Sequence, residues 1–68
     1  MNSLKDRIIE QRKEKGWTQK HLAIVIGTTE DSIYSWEKGR AEPSVDFIIS
    51  LAKIFEVTVG QLLGVEEY

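Results

Sequence analysis

Cysteine is absent from this 68-residue chain. No disulfide framework, thiolate metal site or thiol nucleophile is available. Long apolar runs are missing as well. The longest, Leu22 to Ile26, is far shorter than the roughly 20 residues a membrane helix needs. Proline occurs once, as Pro43 just ahead of a helix, where it does no harm. Histidine also occurs once, as His21, and a single His with no Cys cannot make a usual zinc site. Positive charge is scarce: nine Lys and Arg face eleven Asp and Glu, a net of -2. That balance argues against an indiscriminate nucleic-acid binder, but it leaves room for a local basic face.

At this length one domain over residues 1–68 is expected. Such a domain buries only about 60% of its unfolded surface, so it must pack efficiently or associate. The stretch Met1-Asn2-Ser3-Leu4-Lys5-Asp6 has no signal-peptide pattern, and the absence of Cys is compatible with a cytoplasmic setting. Charge is unevenly placed. Residues 1–40 hold eight Lys/Arg and six Asp/Glu, while residues 41–68 hold one Lys and five Asp/Glu. One end is thereby suited to face an anion; the alternative is chance segregation in a short chain.

The pattern is all-α and reads as five short helices, with no period-two strand, internal repeat or low-complexity segment. Helix one runs from about Leu4 to Lys15, with Ser3 and Asp6 in a capping-box arrangement. Gly16 stops it, and Lys13 and Lys15 suit the negative end of its dipole. Thr18 caps helix two, which buries Leu22, Ala23 and Ile26 and ends at Gly27. Thr29 caps helix three, which ends at Gly39 and places Ile33, Trp36 and Glu37 on one face. Arg40 to Pro43 form a loop. Ser44 caps helix four, where Val45, Ile48, Leu51, Ala52 and Phe55 keep helical spacing. Thr58 and Gln61 box the start of helix five, which contains Leu62 and Leu63 and is closed by Gly64. Val65 to Tyr68 read as a tail.

The segment from about 18 to 38 is the most informative. A small residue is wanted where two tightly connected helices cross, and Ala23 is there. Four residues later Gly27 tolerates a positive φ. Ile33 and Trp36 then pack back onto the preceding helix. Glu30, Asp31, Tyr34, Ser35 and Lys38 point away together, a polar face suited to the major groove. The plainer reading is an αα-hairpin, which also needs an Ala and a Gly.

Gly16-Trp17-Thr18-Gln19, Leu22-Ala23, Ile26-Gly27, Ile33, Trp36-Glu37-Lys38-Gly39, Pro43-Ser44 and Leu51-Ala52-Lys53 closely resemble the phage-repressor helix-turn-helix family of lambda, 434, Cro/C1 and XRE type. The resemblance covers about Leu4 to Leu63. It implies a compact five-helix lambda-repressor-like domain that binds double-stranded DNA and regulates transcription. Gly27-Thr28-Thr29 with Ser32-Ile33 look especially like the 434-type repressor.

The resemblance makes Gln19 a phosphate clamp that also braces helix three. Its place in the first turn of helix two agrees, since free backbone N–H groups there attract phosphate; a solvated surface Gln is the alternative. Arg12 lies one turn after Ile8 and Glu37 one turn after Ile33, so both charges face the core and should pair, as the resemblance also implies. Glu30, Asp31 and Ser35 match base-contacting positions of the 434 type, where amides stand. A carboxylate can accept from cytosine N4. Alternatively, the two acids only stabilise the helix N-terminus. Thr28, Thr29, Ser32, Tyr34 and Ser35 can bond bases or phosphates, and Lys20, Lys38 and Arg40 can meet phosphates. So few cations predict a shallow salt dependence of binding.

Ile24 and Val25 occupy positions that are usually polar in the family. The favoured expectation is that one of them extends the core; the other is a patch for a protein partner, as in an antitoxin-like or adaptor version of the fold. Phe47, Ile49, Val57, Val59, Leu63 and Val65 make a homodimer surface plausible, and the family commonly dimerises through its C-terminal helices. Other chemistry is poorly supported. The sequence argues for no Ser–His–Asp arrangement, metal site or glycine-rich phosphate loop. No enzyme activity or cofactor is expected.

Overall fold

The structure, a computed structural model, describes residues 3–68; Met1 and Asn2, with the reading of the extreme N-terminus, lie outside the described residues. Five helices follow one another: α1 (Leu4–Glu14), α2 (Gln19–Ile26), α3 (Glu30–Lys38), α4 (Val45–Phe55) and α5 (Val59–Leu63). The described residues contain no strand and no helix long and apolar enough to cross a membrane.

Local chemistry places each start. The hydroxyls of Thr18, Thr29, Ser44 and Thr58 accept from the backbone N–H three residues on, at 3.0, 3.1, 3.3 and 3.0 Å. Each satisfies a donor that a helix N-terminus leaves orphaned. Gln61 returns the favour at α5, its Oε1 accepting from Thr58 N–H at 2.9 Å. At α1 the Ser3 hydroxyl and N–H both donate to Asp6 Oδ2, at 3.1 and 3.4 Å.

One aliphatic side chain from each helix is fully buried: Ile8, Leu22, Ile33, Leu51 and Leu62. Each such burial contributes about 1.5–3 kcal/mol before chain entropy is charged against it. Ala23, Trp36, Ala52 and Phe55 complete the core, and Leu4, Trp17, Ile26, Phe47, Ile48, Ile54 and Val57 pack against it. Because all five helices contribute to one core, α2 and α3 are held at a fixed angle.

Three expectations are corrected. Neither Ile24 nor Val25 enters the core; they are 68% and 42% exposed. The inward stripe of α2 is filled by Leu22 and Ala23, with Ile26 half-buried one turn on, which turns residues 24 and 25 outward. Val45, spaced with the inward positions of α4, is 71% exposed, and the helix first packs against the core at Phe47 and Ile48. Finally, the C-terminal residues are no loose tail. Val65 and Glu66 N–H groups donate to the Gly60 carbonyl at 2.9 and 3.1 Å, and the Thr58 hydroxyl donates to Glu66 Oε1 at 2.6 Å. Gln61 Nε2 donates to the Glu67 carbonyl at 3.0 Å. The Tyr68 ring lies 4.2 Å from the guanidinium carbon of Arg7, which is buried and donates to the Gln61 carbonyl at 3.0 Å.

Candidate nucleic-acid interface

The turn between α2 and α3 depends on Gly27, whose φ of +81° lies in the left-handed region. Its N–H and that of Thr28 both donate to the Ala23 carbonyl, at 3.0 and 2.9 Å. This closes α2 and sends the chain directly to the Thr29 cap. Ala23, 3% exposed, lets the two helices approach.

Beneath α3 a polar network sets its position. Arg12 donates through Nε to Glu37 Oε2 at 2.7 Å and through a terminal nitrogen to Oε1 at 3.0 Å. Its other terminal nitrogen donates to the Trp17 carbonyl at 2.8 Å. Gln19 Nε2 donates to Glu37 Oε1 at 3.0 Å. The side chains of Arg12 and Glu37 are only 12% and 5% exposed. Two charges so far from water persist because both are hydrogen-bonded and paired in a bidentate fork. The network ties α1, the turn before α2, the first turn of α2 and the end of α3 into one unit.

Above it, α3 presents a polar surface. Glu30, Asp31, Tyr34 and Lys38 are exposed and Ser32 and Ser35 half-buried. Nine residues give a helix about 13 Å long, comparable with a major groove about 12 Å wide. Thr29 is largely committed to the cap: its hydroxyl accepts from Ser32 N–H and donates to Ser32 Oγ at 3.0 Å. The Ser32 proton therefore stays available. Gln19 spends one amide hydrogen on Glu37 and has a second to offer. Lys20 is exposed in the first turn of α2, and Thr28 is half-buried in the connection.

At the far end of α3, Gly39 has a φ of +74° and its N–H donates to the Trp36 carbonyl at 3.3 Å. Arg40 N–H donates to the Ser35 carbonyl at 3.0 Å. The reversal carries Arg40 back beside the helix. Its guanidinium carbon lies 5.6 Å from the Tyr34 ring centre, and Lys38 Nζ lies 5.5 Å from it. Sequence reasoning missed this grouping, although the four-residue spacing of Tyr34 and Lys38 was visible. His21 stands apart from these residues, with its ring 5.1 Å from that of Trp17.

A tight pair of helices crossing at a small residue, the second braced from below and polar above, defines a helix-turn-helix module. The helix-turn-helix family model matches residues 8–62, and the chain belongs to this family. It is 34% identical over 62 residues to the HTH-type transcriptional regulator AnsR of Bacillus subtilis, covering 91% of this chain and 53% of that protein. It is 30% identical over 61 residues to the cryptic phage CTXphi transcriptional repressor RstR of Vibrio cholerae, covering 90% and 54%. The chain thus spans about half the length of these curated relatives. In structure it resembles the DNA-binding domain of the P22 c2 repressor in solution, with a TM-score of 0.83 and 28% identity over 93% of this chain and 86% of that one. The phage-repressor likeness in the sequence therefore extends to the fold, over 93% of the chain.

Proposed function

We propose that this chain binds double-stranded DNA in a sequence-specific manner and regulates transcription, in the first instance as a repressor. The observation that carries the reading is the polar face of α3, held outward by the Gln19–Glu37–Arg12 network. The names of the relatives, a transcriptional regulator and a transcriptional repressor, and that of the P22 c2 DNA-binding domain support it.

In this reading α3 lies in the major groove and residues 1–68 act as one domain without catalytic activity. Glu30, Asp31, Ser32 and Ser35 face base edges. Gln19, Lys20, Thr28 and Thr29 meet one phosphate run beside the start of α2, where the helix N-terminus favours an anion. Lys38 and Arg40, gathered beside the Tyr34 ring, meet another beyond the end of α3. Few phosphates are neutralised per subunit, so affinity falls only shallowly with salt. A homodimer places two such heads on one face of the duplex. Ile49, Val59, Leu63 and Val65, all exposed, supply its apolar surface. The setting is the cytoplasm.

Selection of bound duplexes from a random pool, at stated salt, tests the reading. Enrichment of a common sequence is expected, and no enrichment at low salt would sink it. Sedimentation showing only monomer, free and on DNA, would remove the homodimer. A second reading is favoured by the exposure of Ile24 and Val25: these residues dock a protein partner, and DNA binding is weak or depends on that complex. Enrichment by the isolated chain separates the two.

A further inference from the structure

Tyr34 is 40% exposed on the outer face of α3. Lys38 follows it by one helical turn, which stacks the two side chains on the same face. Arg40 would point elsewhere if the helix continued. The left-handed turn at Gly39, closed by the Arg40 N–H bond to Ser35, folds it back instead. Both cations then lie within the roughly 6 Å at which an aromatic ring attracts a positive charge. Neither Lys38 nor Arg40 is ion-paired to an acid among the described residues. The contact therefore leaves two charges gathered at one place with their hydrogen-bond donors unspent.

The geometry points to Tyr34 as a positioning residue that gathers Lys38 and Arg40 into one clamp for DNA phosphates at the C-terminal end of α3, with no base read by its own side chain. This rests on the DNA-binding reading and assigns a division of labour within it. In a chain with nine cations and eleven acids, cations held in place contribute more than freely rotating ones. Rotamer freedom lost on contact with phosphate is already surrendered in the free protein.

The test combines free protein and DNA. In the free protein, the Lys38 side-chain Hε and Arg40 Hδ proton resonances should be displaced by the Tyr34 ring current. Tyr34→Ala should return them to ordinary positions, and Tyr34→Phe should preserve the displacement. Two probes serve for binding: a short duplex of arbitrary sequence, and the duplex that wild-type protein selects. Each exposed cation–ring contact is worth about two- to fivefold in an equilibrium. Tyr34→Ala should weaken binding to both duplexes by that order. It should also lower the log–log salt slope by up to about one unit, the contribution of one phosphate. Tyr34→Phe should restore affinity and slope. In a Lys38→Ala, Arg40→Ala background, Tyr34→Ala should change nothing further.

A loss confined to the selected duplex, with the salt slope intact, would make Tyr34 a base reader and overturn the assignment. Undisplaced proton resonances would overturn it without any DNA. Wild-type protein that binds neither duplex at low salt would instead remove the DNA-binding reading, and the clamp's ligand with it.

Discussion

Arg12 and Glu37, 25 residues apart in the chain, are joined by two hydrogen bonds of 2.7 and 3.0 Å beneath α3. The pair is the hinge pin of the proposed interface, because Gln19 joins it through the same carboxylate oxygen that Arg12 uses. Leaving one charge buried without its partner is costly. Glu37→Ala or Arg12→Ala should destabilise the fold by about 3–5 kcal/mol, as read from urea unfolding. For a domain of this size that is most of its stability. An apolar pair of similar volume, Arg12→Met with Glu37→Leu, should restore much of the loss. Equal stability of all three variants would show that the pair is solvated in solution.

Gln19→Ala separates bracing from folding. The amide donates one hydrogen bond to a charged acceptor, worth about 1.5–3 kcal/mol at most. Arg12 still satisfies Glu37, so the fold should survive. DNA affinity should nonetheless fall on every duplex, because the side chain serves both the brace and the proposed phosphate contact. A variant with full affinity would reduce Gln19 to a surface residue.

Glu30 and Asp31 stand exposed in the first turn of α3, where the helix dipole favours them by about 0.3–1 kcal/mol each. Changing both to Gln should alter the preferred duplex sequence, since a carboxylate only accepts from cytosine N4 whereas an amide also donates. Repeating the random-pool selection with the variant checks this. A uniform rise in affinity for all sequences would show instead that the acids act only by repelling phosphate.

Glu56 ends α4 with a φ of +59°, the one positive-φ residue other than glycine among the described residues. A left-handed conformation costs an L-residue about 1–2 kcal/mol. Glycine removes that strain but adds unfolded-state freedom worth about 0.4–1 kcal/mol. Glu56→Gly should therefore stabilise by about 0.5 kcal/mol and raise the thermal midpoint by a few degrees. A lower midpoint would mean that the Lys15–Glu56 contact, 4.0 Å long and largely exposed, matters more than its geometry suggests.

Ile24→Gln should leave unfolding free energy within about 0.5 kcal/mol of wild type, because the side chain already faces water. A loss of several kcal/mol would restore Ile24 to the core.

Local signals carried much of this protein. The caps at Thr18, Thr29, Ser44 and Thr58 and the glycine stops at 27, 39 and 64 act over three or four residues, and a chain read in order displays them. Helical periodicity likewise marks Ile8, Leu22, Ile33 and Leu51 as inward, while it leaves Leu62 and Leu63 of the short α5 undistinguished. The facing of Arg12 and Glu37 followed from the same spacing, since each stands one turn beyond a core isoleucine. Other features depend on how helices meet. Neither Ile24 nor Val25 reaches the core, because Leu22 and Ala23 fill the inward stripe of α2, and which face of α2 points inward is set by the helices packed against it. The burial of Arg7 depends on the Gln61 carbonyl and Tyr68 ring arriving from the far end of the chain. The clustering of Lys38 and Arg40 on Tyr34 depends on the angle at which Gly39 releases the chain. Hydrogen bonds and side-chain repeats within one helix are properties of neighbouring residues, so they are legible in order along the sequence. Contacts between helices exist only after the core has set their angles, so the tertiary structure alone decides them.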